Sequence, residues 1–223
     1  MKSTISISAP GKLMLFGEHA VVYGYPCIVT AVDKRLTVTA EKTTGTNVEI
    51  HAPQVKETRF VDMAVAAFFS HYHISPNNQG LKLSVKSDFT ARVGFGSSSA
   101  VSVATIKALG LLYNSKISEK EIFDLAYKVT LDIQGVGSGF DIAAATFGGT
   151  LYFRKGGSEV EMLSDALPLV VGYTGVKADT PTLVRFVQEQ YKRQKGKLNK
   201  IFSEIGDLVK KSKAAVQKQD WPN

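Results

Sequence analysis

Apolar and polar residues alternate from the start of the chain. Thr4-Ile5-Ser6-Ile7-Ser8 puts every second side chain on one face, the period of a half-buried strand. Leu13–Phe16, Cys27–Val32, Leu36–Glu41, Val48–His51 and Leu81–Ser87 read as further strands. Phe60–Tyr72 is a helix with little polar surface. Ser97–Tyr113 is a helix with almost none: Ala100, Val101, Val103, Ala104, Ile106, Ala108, Leu109, Leu111 and Leu112 surround its axis, so it must be buried nearly all round. Ser118 and Glu121 form a capping box that opens a helix running towards Ile133. Gly148–Phe153 reads as a turn into a strand, Arg154–Ala166 as a polar linker and Leu167–Tyr173 as a buried strand. Thr180-Pro181 supplies an N-cap and a proline for the first helical position. A last helix covers about Leu198–Gln217. Strands come first, with helices inserted and no regular βα alternation, which predicts an α+β domain rather than a doubly wound sheet.

Composition narrows the function. The chain has 223 residues, 44% apolar and 21% charged, enough for a sizeable core. No stretch has the apolar length of a membrane span, and the N-terminus lacks signal-peptide organisation. The single cysteine, Cys27, cannot form an internal disulfide, and a cytoplasmic location is expected. The net charge of +7 is concentrated: residues 177–223 hold 11 basic and 5 acidic side chains. The lysines near 192–200 and 210–218 sit beside apolar positions at helical spacing, without interleaved aromatics. They read as a solvated helix face rather than a nucleic-acid surface. Neither nucleic acid nor membrane is expected as a partner.

Three segments carry chemistry. Gly94-Phe95-Gly96-Ser97-Ser98-Ser99-Ala100 opens the buried helix: glycines allow close backbone approach, serines add hydroxyls, and the helix start offers unpaired N–H groups to an anion. No Gly-Lys-Ser/Thr follows, so this is not a Walker A loop. Ala9-Pro10-Gly11-Lys12 and then Gly17-Glu18-His19 place a charged trio around a special turn. Gly135-Val136-Gly137-Ser138-Gly139-Phe140-Asp141 leads three alternate glycines into an apolar helix with Asp141 in its first turn and Ser138 available as a cap.

Together these segments resemble the GHMP kinase superfamily. Ala9–Lys12 is similar to its first motif, Gly94–Ala100 to its Gly-Leu-Gly-Ser-Ser-Ala phosphate loop, and Ser138–Asp141 to the segment carrying its catalytic aspartate. Leu15–Gly24 looks most like the mevalonate kinases. The resemblance implies ATP-dependent phosphorylation of a small-metabolite hydroxyl, most closely mevalonate to 5-phosphomevalonate in the isoprenoid precursor pathway. It implies a ribosomal protein S5 domain 2-like N-terminal domain over residues 1–166, followed over 167–223 by the beginning of a ferredoxin-like C-terminal domain.

The resemblance also implies roles. Gly94–Ala100 would bind ATP and Ser98 would ligate Mg2+. Asp141 would take the hydroxyl proton, and Lys12 would neutralise transferred charge within direct or one-water reach of Asp141. Lys12, Glu18, His19 and Asp141 would face the acceptor. The chain departs from the pattern in several places. Thr90 replaces the usual loop proline. Thr130 stands where a mevalonate kinase carries a magnesium-binding glutamate, leaving Asp132 nearby as the acidic candidate. Gly137–Asp141 is somewhat closer to phosphomevalonate kinases, so a phosphorylated acceptor is an alternative, as is another sugar or amino-alcohol substrate. A non-catalytic sensor on the same fold is expected to lose Lys12 or Asp141, and both are present. The family's late Gly-rich motif is not found. The chain therefore reads as an incomplete kinase, expected by itself to hold ATP weakly, to leave mevalonate unphosphorylated and to self-associate, a homodimer being one form.

Overall fold

The computed structural model describes residues 4–54, 58–75, 80–90, 93–176 and 180–218. Six strands form one sheet: β1 Thr4–Phe16, β2 Cys27–Thr43, β3 Val48–His51, β4 Gly80–Ser87, β5 Thr150–Arg154 and β6 Glu159–Ser164. The order is β3-β4-β2-β5-β6, with β1 along the other edge of β2. Only β3 and β4 run parallel; the other pairs are antiparallel. The helices are α1 Arg59–His71, α2 Ser97–Leu112, α3 Glu119–Gln134, α4 Phe140–Phe147, α5 Thr180–Arg193 and α6 Lys195–Lys218. This is the α+β class that the pattern predicts. The cap expected at Thr180-Pro181 rests on side chains outside the described set.

The alternation along β2 and β5 sorts the two faces of the sheet. Cys27, Val29, Leu151 and Phe153 point into the main core, where α2 packs on β1 and β2 and is flanked by α1, α3 and α4. Ile28 and Tyr152 point the other way, onto Val209 of α6. Helix α2 is buried from Ser99 to Leu112 except at Lys107 and Leu111, in keeping with its apolar circumference. Lys107 runs its ammonium to the Thr146 carbonyl of α4 at 2.7 Å, fixing the two helices side by side. The capping box at Ser118 and Glu121 forms as read.

Four readings need correction. The first two predicted strands are one strand, β1, and the next two are one strand, β2; the polar Asp33-Lys34 break is an irregularity in their pairing, not a chain reversal. Arg154–Ala166 is not a linker: it ends β5, makes a 3-10 turn at Lys155–Gly157 and forms β6, because the outer edge of β5 takes a partner there. Leu167–Tyr173 is neither strand nor buried. Leu169, Val170, Val171 and Tyr173 are exposed, and no described strand runs beside this segment to pair its backbone. Beyond these, α6 adds a layer on the far face of the sheet. Phe202 stacks on Tyr23 with ring centroids 4.6 Å apart, and Lys213 pairs with Glu161 of β6.

Candidate active site

The site begins at a break in β1. The register steps from Pro10 opposite Arg35 to Gly11 opposite Val32. Proline has no N–H for the ladder, and a bulge re-aims the residues that follow it. The Lys12 N–H then donates to the Phe95 carbonyl at 3.0 Å, tying the glycine-serine loop to the strand. Gly11 makes this approach possible, since a Cβ there would lie 3.0 Å from both Cβ and O of Phe95. The Lys12 ammonium donates to the Gly94 carbonyl at 3.1 Å and sits 5.2 Å from the Phe140 ring centroid.

Gly96 is the N-cap of α2, with φ 72°. A side chain there would be strained, and its Cβ would lie 3.1 Å from Lys12 Cε and 3.7 Å from Asp141 Cβ. Lys12, Asp141 and the start of α2 therefore meet around this one residue. The helix has no side-chain cap and no acidic residue in its first turn, so its N–H groups and positive dipole end are available to an anion. Among the described residues the hydroxyls of Ser97 and Ser98, both half-buried, have no hydrogen-bond partner. Ser99 differs. It is buried, and its Oγ donates to Asp141 Oδ2 at 2.6 Å.

Asp141 lies in the first turn of α4, whose N-cap is Gly139 rather than Ser138; the helix has no side-chain cap. The Ile142 N–H donates to Asp141 Oδ1 at 3.1 Å. The turn before it is fastened from outside: Tyr127 Oη donates to the Gly137 carbonyl at 3.0 Å, and the Gly156 N–H to the Ser138 carbonyl at 2.8 Å. Burial holds the Lys12 ammonium below the usual lysine range, partly offset by the charges of Asp141 and Glu18. Burial pushes the Cys27 thiol up, with Glu18 and Asp141 adding to the rise, so this cysteine is inert behind the site. Lys12 and Asp141 lie within electrostatic reach, yet they form no direct ion pair.

Glu18 and His19 leave β1 through Gly17. The Glu18 carbonyl accepts from the Ala20 N–H at 2.6 Å, and His19 takes φ 58° to open the 3-10 turn Ala20–Tyr23. Glu18 is exposed, on the same side as the Lys12 ammonium that feels its charge. Asp132 is not brought to the loop by any described contact. It stands on the exposed face of α3, paired with Lys128 at 3.5 Å. Thr130, two residues earlier and about 200° round the helix, faces inward, and its buried hydroxyl has no partner. No cluster of three His, Cys, Asp or Glu side chains exists among the described residues. A magnesium ion that keeps mostly phosphate and water oxygens asks for few protein ligands, and the Ser98 hydroxyl, open among the described residues, is an oxygen of the kind it takes. The sequence reading missed the bond from Ser99 to Asp141.

Residues 59–149, which span α1 to α4, match the GHMP kinases N terminal domain. The mevalonate kinase of Pyrococcus abyssi is 35% identical, the match covering 97% of this chain and 70% of that protein. The chain belongs to the mevalonate kinase family of the GHMP kinases. Another mevalonate kinase, from Methanothermobacter thermautotrophicus, is 32% identical over 94% of the chain and 69% of its own length. Among solved structures, L. major mevalonate kinase in complex with R-mevalonate superposes with a TM-score of 0.79 at 27% identity, covering 98% of this chain and 71% of that one. As a mevalonate kinase family member the chain is an ATP-dependent kinase of small molecules. No described helix is long and apolar enough to cross a membrane.

Proposed function

We propose that this chain carries the site at which the γ-phosphoryl group of ATP passes to the hydroxyl of mevalonate, giving 5-phosphomevalonate and ADP. The observation that carries the reading is the meeting of Lys12, Asp141 and the open first turn of α2 at Gly96. Phosphoryl transfer asks a protein mainly for positioning and charge stabilisation, and this arrangement supplies both. The backbone of Gly94–Ala100 cradles the ATP phosphates at the positive end of α2. Asp141 accepts the proton of the acceptor hydroxyl as its oxygen bonds to the γ-phosphorus and the bond to ADP breaks. Lys12 offsets the negative charge on the transferred group. Glu18 and His19 face the acceptor. Mg2+, when bound beside Ser98, neutralises phosphate charge.

Residues 1–166 form the ATP- and substrate-binding domain in this reading, and residues 167–223 begin a second domain. The single, buried Cys27 suits a reducing cytoplasm. A coupled kinase assay across mevalonate, phosphomevalonate and several sugars tests the assignment. Mevalonate is expected to have the highest kcat/KM. Preference for phosphomevalonate would move the chain to the alternative, and phosphates bound away from Gly94–Ala100 in a complex with a non-hydrolysable ATP analogue would remove the site assignment.

A further inference from the structure

The three serines that open α2 do different things. Ser97 and Ser98 leave their hydroxyls unpaired among the described residues. Ser99 is 1% exposed and spans 42 positions of sequence to reach the Asp141 carboxylate of α4. A buried serine within a helix can turn back to the carbonyl four residues earlier; for Ser99 that is Phe95, whose carbonyl already accepts the Lys12 N–H. Ser102, one turn on, does this, donating to the Ser98 carbonyl at 3.0 Å. Ser99 instead makes a short bond to a charged acceptor, one of the strong classes of hydrogen bond.

The other groups around the carboxylate are divided in the same way. Asp141 Oδ1 accepts the Ile142 N–H at 3.1 Å, Oδ2 accepts Ser99, and Lys12 gives its ammonium to the Gly94 carbonyl at 3.1 Å instead of to Asp141. We infer that Ser99 is a positioning residue for Asp141: its hydroxyl holds the carboxylate in one orientation. The proposal rests on the reading of Asp141 as the base.

The physical case is one of aim. A general base must point a lone pair at the proton it takes, and a carboxylate anchored at one oxygen alone keeps its freedom to turn. A carboxylate has about four lone-pair sites. Ser99 and Ile142 take one on each oxygen and leave the others for the acceptor hydroxyl. The anchor is firm because α2 is enclosed on every side by β1, β2 and the neighbouring helices. Packing alone does not call for a hydroxyl here, since alanine is smaller and a better helix former.

The test uses the full-length enzyme with Ser99→Ala, Asp141→Ala and the double variant. Ser99→Ala is expected to lower kcat about tenfold, with both KM values within about twofold. The double variant is expected to match Asp141→Ala, because Ser99 acts only through that carboxylate. Independent, multiplicative losses, or an unchanged kcat in Ser99→Ala, would overturn the proposal. A crystal structure of Ser99→Ala gives a readout independent of turnover. The Asp141 carboxylate is expected to leave its wild-type orientation, and a carboxylate left in place would overturn the positioning role. Undiminished turnover in Asp141→Ala would instead sink the base assignment, while the crystal structure would still decide what Ser99 does to the carboxylate.

Discussion

Two glycine-rich turns feed this site, and they are built to different ends. Gly94–Gly96 leads into α2 and Gly135–Gly139 into α4. Each ends in a glycine N-cap with positive φ, and neither helix has a side-chain cap. The first turn is tied by Lys12 to β1 but stays open outward: Gly94 is exposed, and the Ser97 and Ser98 hydroxyls have no partner among the described residues. The second is clamped by Tyr127 and Gly156, and both Ser138 and Gly139 are buried. The same local chemistry is thus left open in one place and immobilises a side chain in the other. What separates them is the packing around the turn, not the glycines within it.

Removing the side chain that the clamped turn holds gives the largest effect. Asp141→Asn is expected to cut kcat by on the order of a hundredfold or more while ATP affinity stays nearly intact. Steady-state kinetics with calorimetric ATP titration checks it; normal turnover would refute the base role. Next comes the open turn. Gly96→Ala puts a Cβ on a backbone with φ 72°, 3.1 Å from Lys12 Cε. Here both ATP affinity and kcat are expected to fall, each by about tenfold, because the loop and the lysine shift together. A variant with its ATP affinity intact would mean that the phosphates lie elsewhere.

The clamp itself has a smaller, measurable role. Tyr127→Phe removes one hydrogen bond to the Gly137 carbonyl and nothing else. A loss of about 1 kcal/mol in stability is expected, with a few-fold drop in kcat and no change in ATP affinity. If ATP affinity falls instead, the two turns are coupled more tightly than their separate contacts suggest.

Lys12 touches both turns, and its titration separates activity from stability. Burial depresses its pKa below the ordinary 10.5. Catalysis needs the charged form, so kcat should decline at lower alkaline pH than a solvent-exposed lysine would cause. Stability runs in the opposite direction. Between the folded and unfolded pKa values the unfolded chain binds more protons, so unfolding free energy rises with pH over that window. Lys12→Met should abolish this rise in denaturant titrations across alkaline pH. A wild-type activity plateau extending past pH 10.5 would contradict the depressed pKa.

The legible parts of this molecule were those in which one segment carries its own signal. The circumference of α2, the capping box at Ser118 and the glycines around both turns could be read directly. The failures came where a neighbour decides. Glu159-Val160-Glu161-Met162 does alternate, but both apolar side chains are exposed and Gly156-Gly157 precedes them; the free edge of β5 makes the segment a strand. Leu167–Tyr173 has the composition of a strand and no partner, so it is none. The split of the serines was equally hidden. Three consecutive hydroxyls look alike in sequence, and only the helix phase of α2 turns Ser99 inward to a carboxylate 42 positions away. The one available hint was a third serine where the family's loop has alanine.

The smallest expected effect concerns an acid that belongs to neither turn. Asp132 stands near the C-terminal end of α3, exposed and paired with Lys128 four residues before it. In that order the pair is the weaker of the two helical arrangements, because the carboxylate faces the negative end of the dipole. Removing it loses a pair worth about 0.3–0.5 kcal/mol and relieves a dipole repulsion of similar size. Asp132→Asn should therefore change stability by less than about 0.5 kcal/mol. It should also leave the magnesium dependence of kcat unchanged, since no described contact carries Asp132 to the phosphate loop. Thermal melts and a magnesium titration of turnover measure the two quantities. A rise of about tenfold in the magnesium needed for half-maximal rate would return Asp132 to the metal's surroundings. It would also show that α3 shifts when nucleotide binds, so that the open turn recruits its acid from outside the pair of turns.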